Sequence, residues 1–476
     1  YVDLSNERKA VAQEFCLKVI NELRSLGMTK ASFCVDFAKN KGLRYIRDDF
    51  NNVVIFKDGT SGYENAEPII LQGHLDIVCQ KTEEKQINFL TDGLDIYRDG
   101  DFIKADGTTL GGDNGIAVAY ILALLADKTI PHPPLEVIVT VDEEIGMEGA
   151  AGVDLSRFQS RTMINLDSED EGIFTVSCAG GARSVIHMPV QRRVVYGPCV
   201  KLTVEGLRGG HSGVEIHKNL ANANKVMGEF LGRIQKLMPL CITKLQGGAK
   251  DNAIPRSCEA TLIPLGINVE RINEIAEQLQ EEIRTQFDEP YAIVRGDNVD
   301  ALGGNALTTE CTAKVIAILN AAPNGVQAMS QDIEGLVQTS LNLGVMKLDE
   351  ELTLTFSVRS SVNQEKVDLL KRLQDLAAFY DGTVSEMGDY PAWEYKKDSH
   401  LRDTMVATFS RIFGKKPEVV AIHAGLECGL LSEKLPGLDC VSIGPDMQDI
   451  HTSREKLSID STRRTWEFLL EVLKAL

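Results

Sequence analysis

Apolar residues recur at intervals of four near the start of the chain. NERKAVAQEFCLKVINELRSLG sets Val11, Phe15, Val19 and Leu23 on one face, which predicts an opening amphipathic helix. The texture then changes to short apolar runs at 52–56, 68–72 (PIILQ), 135–141 (LEVIVTV) and 162–166 (TMINL). Runs of this length and apolarity read as buried strands. Between them, 115–127 (GIAVAYILALLAD) is a compact apolar helix. Strands alternating with helices predict a largely parallel sheet with helices on both faces.

From about residue 180 the pattern becomes one-sided. VKLTVE at 200–205 alternates, 219–238 is a long amphipathic helix, 259–263 a strand and 268–287 a strongly charged helix. A helix at 309–319, strands at 338–346 and 352–358, and a helix at 364–379 complete an α+β layer. After about residue 381 the buried style returns: a helix at 399–413, strands at 418–422 and 440–443, and a final helix at 461–473. The predicted organisation is therefore an α/β domain made of 1–180 and 382–476, interrupted by an inserted α+β domain at 181–381. No repeat or low-complexity segment is visible.

Composition changes this picture only by exclusion. The chain has 476 residues, 43% hydrophobic and 25% charged, with a net charge of −19. That balance argues against nucleic acid and against an anionic membrane surface as partners. Ten cysteines are scattered with no CxxC pair, which reads as reduced thiols in a cytoplasmic protein. The opening YVDLSNERKA has no basic segment leading into an apolar one, so no targeting signal is expected. The uncharged apolar stretch 116–126 is well short of the roughly 20 residues that span a bilayer.

The candidate chemistry lies just after the buried strands. PIILQ leads into Gly73-His74-Leu75-Asp76, TTLGG into Asp113-Asn114-Gly115, LEVIVTV into Asp142-Glu143-Glu144, and TMINL into Asp167-Ser168-Glu169. In open α/β sheets ligands bind outside the carboxyl ends of the strands, so these residues converge on one edge. His451, in GPDMQDIHTS, follows a late strand. Each piece alone is weak: a His-x-Asp is commonly incidental, a Glu-Glu pair commonly solvated, and Asp-Asn-Gly a turn. Together they form a mixed nitrogen and oxygen ligand set for two divalent ions. Such a set points to Zn²⁺, with Mn²⁺ or Co²⁺ as alternatives. Carboxylates at the ends of buried strands also need a cation to offset their repulsion.

The order GHLDIV, GGDNG, DEEIG, NLDSE, GGHSG and a late His resembles the M20 family of co-catalytic metallopeptidases. CAGG at 178–181, GGHSGVEIH at 209–217, NANK at 222–225, DNAIPR at 251–256, APNGV at 322–326 and HAGLECGLL at 423–431 resemble its aminoacyl-histidine dipeptidase branch (peptidase D, cytosol non-specific dipeptidase). The resemblance runs from roughly residue 40 to the end of the chain. It implies a zinc-peptidase-like catalytic domain with a mostly parallel central sheet, the insert being a lid. It also implies a metallodipeptidase acting on unblocked L-dipeptides, carnosine-like Xaa-His substrates included.

Residue by residue, the resemblance implies one metal on His74 and Asp167, another on Glu144 and His451, and Asp113 bridging both. Asp76 would orient the His74 ring. Glu143 would be the general base, taking a proton from a water between the metals and returning it to the leaving amine. His211 would stabilise the oxyanion, Arg359 clamp the substrate's C-terminal carboxylate, Asn252 hydrogen-bond the peptide, and Gly425 offer backbone. His217, His423 and Cys428 stand beside these positions as supporting residues. His132, His187 and His400 read as ordinary surface or packing residues. A homodimer through the lid is the assembly the resemblance implies. The competing readings are an M20-type N-acyl amino acid amidohydrolase or tripeptidase, and a catalytically inactive binding protein on the same fold.

Overall fold

A computed structural model describes residues 32–266 and 268–476. The predicted opening helix carrying Val11, Phe15, Val19 and Leu23 lies outside the described residues. The described chain divides into two compact units: one holds 32–177 with 395–421 and 426–476, the other 178–394 with 422–425. The second unit runs beyond residue 381 because strand Thr383–Tyr390 pairs with Gly180–Pro189, extending that unit's own sheet.

The first unit is built on an eight-stranded sheet. Its order is Arg44–Arg47, Val53–Lys57, Leu135–Thr140, Ile69–His74, Thr162–Asn165, Asp439–Ser442, Ile173–Cys178, Glu418–Ile422. The sheet is mixed. Ile69–His74 runs parallel to both its neighbours, and Thr162–Asn165 is parallel to Asp439–Ser442. Val53–Lys57 is antiparallel to both of its neighbours. Every side chain of Ile69–His74 and of Leu135–Thr140 is buried. Since successive side chains point to opposite faces, both faces of these strands are covered. Helix Gly112–Ala126 supplies part of that cover; it is apolar nearly all round and buries Ile116 through Leu122, Leu124 and Leu125.

A small four-stranded sheet brings in the remaining loops. Ile96–Asp99 and Phe102–Ala105 form a hairpin, and Phe102–Ala105 pairs antiparallel with Lys456–Ser458. The chain leaving Ala105 leads toward Asp113, and the chain entering Lys456 comes from His451. Antiparallel pairing therefore delivers both loops to one end. Asp99 pairs with Phe102 across the two-residue turn Gly100-Asp101, where Gly100 takes φ 59°.

The second unit is a fully antiparallel sheet. In strand Glu351–Ser360, Leu352, Leu354, Phe356 and Val358 join a core with residues of helices Ala223–Gln235, Val269–Gln286, Thr309–Ala321 and Asn363–Phe379. Alternation along this strand is why the sequence read as one-sided. NANK is an N-cap: the Asn222 side chain accepts from the backbone of Asn224 and Lys225. Among the described residues no helix is long and apolar enough to cross a membrane.

The fold makes one demand directly behind the candidate ligands. A Cβ on Gly73 would lie 2.5 Å from Asn114 Oδ1 and 2.6 Å from Ala117 Cβ. Gly73→Ala should therefore cost about 1–3 kcal/mol of stability by overpacking. Chemical denaturation should show a lowered midpoint with an unchanged slope; an unchanged midpoint would mean the helix can shift off the strand.

Candidate metal centre

His74 is the last residue of strand Ile69–His74 and is only 1% exposed. The parallel register sets Thr140 beside His74, and Asn165 beside Gln72. The segments continuing from those strands carry Glu143, Glu144 and Asp167 to the same edge. The five expected ligands form one continuous chain of contacts. Asp167 Oδ1 is 3.4 Å from His74 Nε2, which is 3.2 Å from Asp113 Oδ1. Asp113 Oδ2 is 3.0 Å from His451 Nε2, which is 3.2 Å from Glu144 Oε1. Asp113 thus turns one oxygen to each imidazole. The Glu143 carboxylate takes no part in this chain.

The surroundings hold these side chains in place. Asn114 Oδ1 accepts from the His74 backbone, and its Nδ2 donates to Leu166 O, tying two strand ends together. Asp76 does more than orient an imidazole. Its backbone oxygen lies 3.0 Å from His74 Nδ1, with its carboxylate 3.5 Å away. That carboxylate accepts the backbone N–H groups of Glu143 and Glu144 at 3.1 and 3.0 Å. One aspartate therefore positions the first imidazole and the acidic pair. Beneath lies a buried polar layer: Gln72 donates to Glu427 Oε2 at 2.6 Å, Thr140 donates to the same oxygen at 2.7 Å, and Asn165 donates to Gln72.

The charges respond to one another. Burial opposes a charged His74, but Asp167, Asp113 and Asp76 outweigh it and hold the ring well above the ordinary histidine range. Hydrogen bonds to Asp113 and Glu144 hold His451 up at about 10 despite partial burial. Burial acts to raise Asp113, yet the two imidazoles draw it below the usual carboxylate range. Burial pushes Glu143 up to about 8; His74 opposes this, and the Asp167, Glu427 and Glu144 charges add to it. A cation among those carboxylates would draw it back down.

The residues fit a divalent cation. Ligand atoms sharing one tetrahedral Zn²⁺ at about 2.0–2.1 Å stand roughly 3.3 Å apart. His74, Asp113 and Glu144 each offer an atom within 4.8 Å of the others, and the chain of contacts extends this group to Asp167 and His451. Glu144 Oε1 is buried and faces His451 Nε2 at 3.2 Å, so two candidate ligand atoms address one position.

The second unit carries its own polar cluster. His211 Nδ1 accepts the N–H groups of Gly213 and Val214 at 3.1 and 3.3 Å. Burial, then the Arg359 charge, lowers its pKa, so the ring is neutral with its proton on Nε2. Arg359 Nη1 donates to Tyr390 Oη at 3.1 Å, while its buried Nε has no acceptor. His423 Nε2 meets Ser340 Oγ at 2.7 Å, and burial with the Arg359 charge lowers it to about 4. A Cβ on Gly425 would lie 2.7 Å from the Tyr390 ring, so backbone packs there where a side chain cannot. Asn252 is exposed, and its backbone oxygen accepts from Ser212. His217 is exposed, and Cys428 is buried 3.8 Å from Cys440 Sγ.

His187 pairs with Glu351 and Ser385, and His132 with the Pro133 carbonyl. Neither they nor His400 join either cluster. Sequence reading missed Glu427 and Tyr390. Glu427 stood inside the quoted HAGLECG; a Glu in a run otherwise without charge was its signal. Tyr390 carried none.

The family described as Peptidase family M20/M25/M40 matches residues 70–475. The cytosol non-specific dipeptidase of Escherichia coli is 37% identical over 452 residues, covering 93% of this chain and 92% of that protein. The crystal structure of aminoacylhistidine dipeptidase from Vibrio alginolyticus matches with a TM-score of 0.92 and 35% identity, covering 96% of each chain. The aminopeptidase PepT from Bacillus cereus shares the fold, with a TM-score of 0.53 and 16% identity over 97% of this chain and 98% of that one.

Because both imidazoles hold protons without a cation, ion binding must displace them. Adding Zn²⁺ to the chelator-stripped protein at pH 7 should release the two imidazole protons and much of the Glu143 proton, more than two per chain, and affinity should rise with pH. Calorimetry in two buffers of different ionisation enthalpy measures this. Binding without proton release would show that the histidines are not ligands.

Proposed function

Since the chain belongs to peptidase family M20/M25/M40, we propose that it is a metal-dependent dipeptidase acting on unblocked L-dipeptides, Xaa-His substrates included. The observation that carries this reading is Asp113, with one oxygen against His74 and the other against His451. Asp167 flanks the first imidazole and Glu144 the second, which supports two ion positions sharing Asp113. The ligand types favour Zn²⁺, with Mn²⁺ or Co²⁺ as alternatives. Ions held there would polarise the scissile carbonyl and acidify the attacking water.

The chain's own residues do the rest. Glu143 takes a proton from the water as the C–O bond forms, and gives one to the amine nitrogen as the C–N bond breaks. Its freedom from the chain of ligand contacts supports this role. Asp76, through the two backbone N–H groups it accepts, aims Glu143 and Glu144 differently although they are neighbours. His211, neutral and with its proton on Nε2, donates to the carbonyl oxygen as that oxygen gains charge. Arg359, backed by Tyr390, presents a planar fork to the free C-terminal carboxylate. Gly425 lends backbone beside it, and Asn252, exposed, is free to reach the peptide. No disulfide joins two cysteines among the described residues, which supports a cytoplasmic setting, as the name of the E. coli relative states for that protein.

Glu143→Gln should lower kcat by about 10²–10⁴-fold while metal content, read by elemental analysis, stays at the wild-type level. Glu144→Ala should lose metal. Substantial turnover by Glu143→Gln would remove Glu143 from its role.

Arg359→Lys should weaken dipeptide turnover roughly ten- to a hundred-fold, on the order of 1.5–3 kcal/mol, with metal content untouched. Amidating the substrate's C-terminus should cost the wild type a similar factor. Combining both should not multiply the losses, because each removes the same contact. Fully multiplicative losses would sink the pairing.

A further inference from the structure

Glu455 is neither one of the candidate ligands nor the candidate base, yet it is 3% exposed. No lysine, arginine or histidine among the described residues lies within ion-pair distance of it. Its carboxylate instead accepts four backbone N–H groups in a row. Oε2 takes Leu110 and Gly111 at 2.8 and 3.1 Å, and Oε1 takes Gly112 and Asp113 at 2.7 and 3.4 Å. These donors lie at the start of helix Gly112–Ala126, where no intrahelical carbonyl can serve them. An ionised carboxylate is acceptor-only with about four lone-pair directions, which matches four donors. Gly111 adopts φ 69°, and a Cβ on Gly112 would lie 3.2 Å from Glu455 Oε1, so glycines let the loop close on the carboxylate.

The other end of the link is equally placed. Glu455 follows His451 in the loop joining Met447–Gln448 to Lys456–Ser458, strands that pair with each other. That loop and the Asp113 loop therefore meet twice: through His451 and Asp113 at 3.0 Å, and through Glu455 and the four amides. Because Asp113 faces both imidazoles, any slip between the loops changes the spacing on both sides of it.

We propose that Glu455 is a positioning residue that locks the Asp113 loop to the His451 loop and so sets the ligand spacing for both cations. This rests on the reading of the cluster as a divalent-metal centre. Glutamine has nearly the same shape but keeps only one acceptor oxygen and turns an NH₂ toward two of the N–H groups.

The test compares wild type with Glu455→Gln by competition with a chromophoric chelator for Zn²⁺. Both equivalents should bind about 10–100-fold more weakly in the variant. Its dipeptide KM should stay unchanged, and its kcat should recover in excess Zn²⁺. Wild-type Zn²⁺ affinity in a folded Glu455→Gln protein overturns the inference. A second measurement needs no variant: hydrogen exchange of the metal-stripped wild type should show residues 110–113 protected. Exchange there at open-loop rates also overturns it, even where the variant does not fold. If the wild type takes up no Zn²⁺ but residues 110–113 are protected, the metal reading fails and the lock between the loops stands.

Discussion

Carboxylates gathered at one dry strand edge repel one another, and the first unit is arranged around that repulsion. Asp113, Glu144 and Asp167 cannot stay ionised together without positive charge between them. The two imidazoles supply it, alternating with the carboxylates from Asp167 to Glu144. The same alternation suits a pair of cations, so metal ions bound there would compete with protons for one set of positions. Glu143 sits close enough to feel the surplus negative charge, which adds to burial in pushing its carboxyl up to about 8.

The backbone absorbs the cost of bringing these groups together. Asp142 and His451 both take left-handed conformations, φ 57° and 60°, which residues other than glycine seldom adopt. Each lies where the chain turns a ligand toward Asp113. Below them the buried polar layer leaves two acceptors, Glu427 Oε1 and Asn165 Oδ1, without a donor. Burial and the Asp167 charge, against His74, Thr140 and Gln72, hold Glu427 at about 7. A carboxyl group near neutrality there limits the negative charge beneath the ligands. Two strands buried on both faces anchor His74 and the acidic pair.

The second unit gathers a polar cluster of its own around Arg359. His211 and His423 are both kept neutral, by burial and by the Arg359 charge. Two protonated imidazoles beside a guanidinium would repel; neutral ones leave Arg359 as the cation. Tyr390 fills space that glycines vacate: a Cβ on Gly181 or Gly425 would collide with its ring. Some quoted motifs prove to be scaffolding. Asn222 caps a helix and donates to Asn324, Asn342 and the Leu343 carbonyl, so NANK and APNGV stabilise the unit rather than its chemistry.

Local pattern by itself determined much of this protein. Runs such as PIILQ and LEVIVTV are buried strands because most of their side chains are apolar, and polar residues following such strands must gather where the strands end. That logic gathered His74, Asp113, the Glu143-Glu144 pair, Asp167 and His451 at one edge, and the resemblance to the M20 family divided the pair into expected ligand and expected base. It could not reach contacts between segments far apart in the chain. Strand direction at the sheet's flanks follows from which neighbours pair, which is why a largely parallel expectation became a mixed sheet. The second unit's extension past residue 381 followed from pairing too, since Thr383–Tyr390 has few buried residues of its own. Asp76 reads as a partner of His74 because it lies only two positions further along. Its hold on Glu143 and Glu144 spans 67 and 68 residues, and the hold of Glu455 on residues 110–113 spans 342 to 345. A carboxylate's partners are whatever N–H groups the folded chain brings to it, and only the tertiary structure decides those.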